Sequence, residues 1–255
     1  MKNSIYKNIL ITERDVNILK LLSKLKIWES DLIRDLLSPE TSQNTFTKRL
    51  KKLEDKWFIQ SINQDQRWRT QNKLYQLNTK QKRTDIETII GNEILWWTVN
   101  MSYSNYYHSL YIGYFLKFLI WKIKSKNMNY AFIIDNFISQ FEFQKWTTTR
   151  KKNNWDTVII PDWLLKIWDK VWRIEVERLN SAKEFKNKIK KYKDQYFYLE
   201  KDKFCPFFEK NTKHSLLIMA PDMKILPYRD ILDNEEIEEY YELKLINEDI
   251  ILKHS

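Results

Sequence analysis

Glycine is almost missing: Gly91 and Gly113 are the two in 255 residues. Walker and dinucleotide phosphate loops need several glycines, so nucleotide chemistry of those types is excluded. Cys205 is the single cysteine, which excludes a disulfide framework and a multi-cysteine zinc site. His108, His214 and His254 are scattered, with no HExxH motif and no paired-histidine metal site. Long apolar runs are absent too. The most membrane-like stretch, Leu110 to Trp121, contains Lys117 and is far shorter than the ~20 apolar residues a bilayer needs. It reads as a buried helix. Met1-Lys2-Asn3-Ser4 is polar and no signal-peptide pattern follows, so a cytoplasmic location with no membrane partner is expected.

What is present is charge, unevenly spread. The net charge is +10. Residues 1–83 hold 18 Lys and Arg against 9 Asp and Glu, whereas residues 228–255 hold 3 against 9. A basic front and an acidic tail suit nucleic acid bound at the front and a solvated segment behind. The length suits one large domain or two small ones. The boundaries expected are 1–83 for a DNA-binding domain, 84–227 for an α/β domain with a helical lead-in, and 228–255 for the tail.

The first third reads as three helices and a hairpin. Thr12 caps a helix whose apolar stripe is Val16, Leu19 and Leu22, with Ile18 and Leu25 beside it. A second helix runs from about Glu29 to Leu37, and Pro39 breaks the chain after it. A third, about Ser42 to Lys56, turns Phe46, Leu50 and Leu53 inward. Its other face, Gln43, Asn44, Thr47, Lys48, Lys51 and Lys52, is rich in donors suited to base edges and phosphates. Strands at about Trp57–Ile62 and Lys73–Leu77 enclose a loop that carries Arg67 and Arg69 around Trp68. Three helices plus a basic hairpin is the pattern of a winged helix. Its third helix would enter the major groove, and its hairpin would touch backbone or minor groove. The competing reading is a small helical module with a solvated basic face that contacts proteins. Residues 79–125 read as aromatic-rich packed helix.

The acids after that region carry the chemistry. Ile159-Ile160-Pro161-Asp162 reads as a strand ending in an acid. Ile174-Glu175-Val176-Glu177 reads as a strand whose two carboxylates share a face. Carboxylates placed together on strands need protons or a cation, and a hard divalent ion such as Mg²⁺ or Mn²⁺ supplies the latter. Phe141-Glu142-Phe143 alternates, which makes Glu142 a possible outer ligand. Tyr130–Ile134 reads as a further strand. Ser181 and Glu184 form a capping box that starts a helix with Phe185, Ile189, Tyr192 and Tyr196 inward. Ser215–Met219 is a further strand, and Asp233–Leu243 reads as an acidic amphipathic helix. The class expected is α/β (α+β), a mixed sheet with flanking helices.

Pro161-Asp162 followed by Glu175 and Glu177 resembles the PD-(D/E)xK nuclease fold. Glu177 stands where the family pattern has lysine. Lys188, on the helix that follows, is placed to substitute for it. The order of winged helix, Tyr107-His108-Ser109-Leu110, Pro161-Asp162, Ile174–Arg178 and Lys188–Tyr192 also resembles the replication-relaxation family of mobile elements and the related MOBC-type plasmid relaxases. That resemblance implies a DNA-processing protein. It would bind an origin-like duplex through Asn44, Thr47, Lys48, Lys51, Lys52, Arg67 and Arg69, and nick it by metal-dependent phosphodiester hydrolysis. Asp162 and Glu175, with Glu142 outside them, would hold Mg²⁺ or Mn²⁺. Asp162, Glu175, Glu177 and Lys188 would be the catalytic set. Other mobilisation or replication proteins are implied partners, and a symmetric origin suits a homodimer. The alternative is a non-catalytic accessory factor that keeps the fold for shape.

Overall fold

A computed structural model describes residues 11–62, 73–95, 109–118, 135–140, 142–144, 159–167, 169–178, 180–201 and 213–247. The class is α+β, and the chain divides into two compact units, Met1–Ile134 and Asp135–Ser255.

The first unit opens with α1 (Glu13–Leu25). Thr12 caps it through a reciprocal box with Asp15, whose Oδ2 accepts from the Thr12 amide at 2.7 Å. Ile18, Leu19, Leu21, Leu22 and Leu25 are buried, while Val16 is only half-buried. Lys26 takes a left-handed φ of 64° and turns the chain into a short strand, β1 (Ile27–Glu29). Helices α2 (Ser30–Leu37) and α3 (Gln43–Asp55) follow, then β2 (Ile59–Ile62) and β3 (Leu74–Leu77). The three strands form an antiparallel sheet in the order β1-β3-β2. Strand β1 was not expected, because three residues are too few to show a period-2 alternation.

Helix α4 (Thr79–Ile90) ends at Gly91, whose φ of 72° is the left-handed C-cap that glycine adopts freely. A further helix, α5, covers 109–118. It packs with the first unit, although a lead-in to the second was expected. Leu110 lies against Ile27 and Leu74, and Lys117 pairs with Asp35 at 2.9 Å. A Cβ at Gly113 would stand 2.3 Å from Leu32 Cδ2, so this position is fixed by close helix packing. Tyr107 and His108 lie outside the described residues, as does the strand expected at Tyr130–Ile134.

One buried ion pair ties the first unit together. Asp15 is fully buried, and Arg49 of α3 grips both of its oxygens, with Nε 2.5 Å from Oδ1. Asp15 is therefore a cap and a tertiary anchor at once. Gln43, expected on the donor-rich face of α3, is instead held between α2 side chains. It accepts from Arg34 at 2.5 Å and donates to Asp31.

The second unit is a five-stranded sheet in the order β4-β5-β6-β7-β8. Its strands are β4 (Phe137–Ser139), β5 (Trp163–Ile167), β6 (Lys170–Val176), β7 (Lys213–Ala220) and β8 (Glu242–Asn247). The first three are antiparallel, and β6, β7 and β8 run parallel. Parallel neighbours need crossovers. These are α6 (Ala182–Lys201) between β6 and β7, and α7 (Asp222–Asn234) between β7 and β8. Phe185, Ile189 and Tyr192 of α6 meet Leu216, Ile218 and Ala220 of β7 and Tyr228 and Leu232 of α7 in one core.

Three sequence expectations are corrected here. The strand follows Asp162 and does not lead into it, because Pro161 has no N–H to donate and the ladder begins at Trp163. Residues 142–144 are helical, and Glu142 closes an N-terminal box with Ser139, accepting from the Ser139 amide at 2.6 Å. The acidic tail is not one long helix. Helix α7 stops at Asn234, a 3₁₀ turn spans Ile237–Glu239, and β8 completes the sheet. Buried Ile237 and Tyr241 anchor that return.

Candidate active site

The register of β5 and β6 brings the acids together. Trp163 pairs with Ile174, so Asp162 and Glu175 lie one step further along adjacent strands and share a face. The Val176 amide donates to Asp162 Oδ2 at 2.8 Å, and the Asp162 carboxyl hydrogen-bonds that of Glu175. Arg173, Glu175 and Glu177 alternate along β6 towards α6, and all three are buried. The Glu177 amide carries the ladder onward by donating to Met219 O at 2.8 Å.

Helix α6 supplies the opposing cation. The Ser181–Glu184 capping box fixes its start, with the Ser181 amide 2.7 Å from Glu184 Oε2. Lys188 and Tyr192, four residues apart, then face the acids. The Lys188 ammonium lies 2.6 Å from Glu175 Oε2 and also contacts Glu177 Oε1. The Tyr192 hydroxyl donates to Glu175 Oε1, and Asn180 Nδ2 donates to Glu177 Oε2. Helix α7 braces the Asn180 turn. Lys224 donates to Arg178 O at 2.6 Å and Asn180 O at 2.7 Å, and the Tyr228 hydroxyl donates to Asn180 O at 3.0 Å.

The electrostatics follow from burying like charges together. Burial pushes the Glu175 carboxyl up to about 8; Lys188 opposes the rise, and the Asp162 and Glu177 charges add to it. Burial also raises Asp162, against the pull of Lys188 and the Val176 amide. For Lys188, burial acts downward, but Glu175, Asp162 and Glu177 outweigh it and hold the ammonium above the ordinary lysine range. Burial raises Tyr192 first, and the neighbouring Glu175 raises it further. The phenol therefore stays a donor.

The sequence residues are placed as follows. Asp162, Glu175, Glu177 and Lys188 come together. The Glu142 carboxylate serves the Ser139 box beside β5, since Ser139 pairs with Trp163. Asn44, Thr47, Lys48, Lys51 and Lys52 are exposed along α3, opposite buried Phe46, Leu50 and Leu53. Arg67 and Arg69 lie outside the described residues. Tyr192, Asn180, Lys224 and Tyr228 were missed as parts of the site. Tyr192 alone had a signal, its spacing of four from Lys188.

Hard oxygen donors suit Mg²⁺ or Mn²⁺ by chemistry. The arrangement is different: among the described residues, no group of three or more His, Cys, Asp or Glu side chains is placed to hold a metal ion. Lys188 stands between Glu175 and Glu177, so the cluster is partly neutralised from within. No protein-family model, curated protein or solved structure matches this chain.

Proposed function

We propose that this chain is a DNA-processing protein of a plasmid or integrative mobile element. In this reading the first unit is a winged helix that binds origin-like duplex DNA, and the second is a PD-(D/E)xK-like core that nicks it. Mg²⁺ or Mn²⁺ is the proposed ion, and when bound it would supply charge stabilisation at the phosphate and an activated water. The observation that carries the reading is the meeting of Asp162, Glu175, Glu177 and Lys188 at one end of β5 and β6, three carboxylates against one ammonium.

The element order α1-β1-α2-α3-β2-β3 and the exposed lysines of α3 support the DNA-binding half. In that role Lys48, Lys51 and Lys52 neutralise phosphates, while Asn44 and Thr47 offer groups to base edges. In the second unit, Val176, Tyr192 and Asn180 orient the acids, and Lys188 holds positive charge beside them. A second reading, a non-catalytic accessory factor for replication or mobilisation, is favoured by one observation: Lys188 already occupies both glutamates. Nicking of supercoiled element DNA, with and without Mn²⁺, separates the two. Mn²⁺-dependent nicks lost in Asp162→Ala support the enzyme. Specific DNA binding with no nicking under any divalent ion supports the accessory role.

A further inference from the structure

We propose that Trp57 is a stacking platform for an unpaired base, set at the end of the α3 lysine row so that the first unit takes DNA opened beside a duplex. This rests on the DNA-binding reading of α3 and adds the form of DNA that its C-terminal end recognises.

The backbone accounts for the turn at Trp57 but not for the side chain. Helix α3 closes as a Schellman motif. The Trp57 amide donates to Glu54 O at 2.8 Å and the Phe58 amide to Leu53 O at 3.0 Å, with Leu53 and Phe58 buried together. That closure puts Trp57 at a left-handed φ of 67°. Glycine suits such a position, and a bulky side chain is strained in it. The indole does not repay the strain as core, because Trp57 is 56% exposed, one of three large apolar side chains left exposed among the described residues. Strain held at an exposed aromatic points to a use outside the fold.

The surroundings select the partner. Lys48, Lys51 and Lys52 on α3 and Lys56 just after it are exposed. Glu54 is engaged by the Ser61 amide at 2.9 Å and by Lys73 at 3.9 Å, which leaves Asp55 as the exposed acid at this end. Protein interfaces enrich aromatics but deplete lysine. Lysines that track phosphates beside an aromatic that stacks on a base are the combination of single-strand recognition. Base faces inside a duplex are covered by their neighbours, so the indole needs a base that has left the stack. Recognition helices read paired bases with their N-terminal residues, whereas Trp57 stands at the C-terminal end of α3. It therefore fits a strand that opens at the flank of the paired site.

Fluorescence anisotropy at one fixed salt tests this, with the full chain, a fully paired duplex and the same duplex carrying a bulge of unpaired thymines. Wild type should bind the bulged DNA about tenfold more tightly than the paired one. Trp57→Gly should melt no lower than wild type, because the left-handed turn suits glycine, and its preference for the bulge should fall to near one. Trp57→Phe, which keeps a smaller ring, should retain part of the preference. Lys52→Ala should weaken both complexes and leave their ratio unchanged. A readout on the wild-type chain is independent of the variants: 2-aminopurine placed in the bulge should be quenched on binding. No preference in wild type, an undiminished preference in Trp57→Gly, a bulge base that stays as bright as in free DNA, or a clearly lower melting temperature for Trp57→Gly would each overturn the stacking role, while duplex binding by α3 would stand. Binding to neither DNA would overturn both.

Discussion

Each unit buries charge, and the two do it differently. In the first, one carboxylate meets one guanidinium: Asp15 is fully buried, Arg49 grips both its oxygens, and the Thr12 amide uses Oδ2 as well. In the second, three carboxylates, Asp162, Glu175 and Glu177, gather at one place, and the Lys188 ammonium contacts both glutamates. The balanced pair behaves as structure. A buried group whose charge is matched and whose hydrogen bonds are filled needs nothing from outside. In this second cluster burial drives Glu175 up to about 8, with the Asp162 and Glu177 charges adding to it, and the three acids hold Lys188 above its ordinary range. Such perturbation marks candidate functional sites.

Breaking the balanced pair should give the largest effect on stability. Asp15→Ala strands a partly buried Arg49 and removes a helix cap, so it should cost about 3–5 kcal/mol by urea unfolding. Replacing both partners, as Asp15→Leu with Arg49→Met, should recover most of that loss. A double variant as unstable as Asp15→Ala would show that the pair is more than a matched charge.

The acid cluster should respond with the opposite sense. The unfolded Glu175 side chain gives up its proton near the ordinary 4.5, whereas the folded one keeps it to about 8. The folded state thus binds more protons across that window, and metal-free stability should fall as pH rises from about 4.5 to about 8. Glu175→Gln cannot ionise, so its melting temperature in chelator should vary less with pH and should exceed wild type most clearly at the alkaline end. Parallel pH profiles for the two proteins would contradict a Glu175 carboxyl that burial keeps protonated to about 8.

The smallest effects belong to exposed α3. Lys51→Ala and Lys48→Ala should leave stability within about 0.5 kcal/mol of wild type. Each should weaken DNA binding and lower the salt slope by about 1. Unchanged affinity and slope in a fluorescence-anisotropy titration would remove that face from the interface.

Periodicity made much of this legible. Phe46, Leu50 and Leu53 defined the buried face of α3, and by difference its exposed one. The two-residue spacing of Glu175 and Glu177 put them on one face of β6. The Ser181–Glu184 box located the start of α6 and hence Lys188. What stayed hidden lacked a repeating signal. Strands β1 and β4 are three residues each, too short for alternation. Strand β8 was masked by the acids of 233–239, although Leu243 and Leu245 alternate in it. The clamp of Arg49 on Asp15 joins residues far apart in sequence, and Asn180 sits in a turn. Tyr192 was read as core, and it is core, but its hydroxyl has a second use at Glu175.

We propose the acid cluster as the working site of a metal-dependent nuclease. The most direct measurement is nicking of supercoiled element DNA by wild type and Asp162→Ala in the presence of Mn²⁺, with DNA binding measured on the same samples. The account predicts open-circular product from wild type, none from the variant, and equal DNA affinity for both. Equal nicking by the two proteins, or none by wild type at full DNA occupancy, would contradict it.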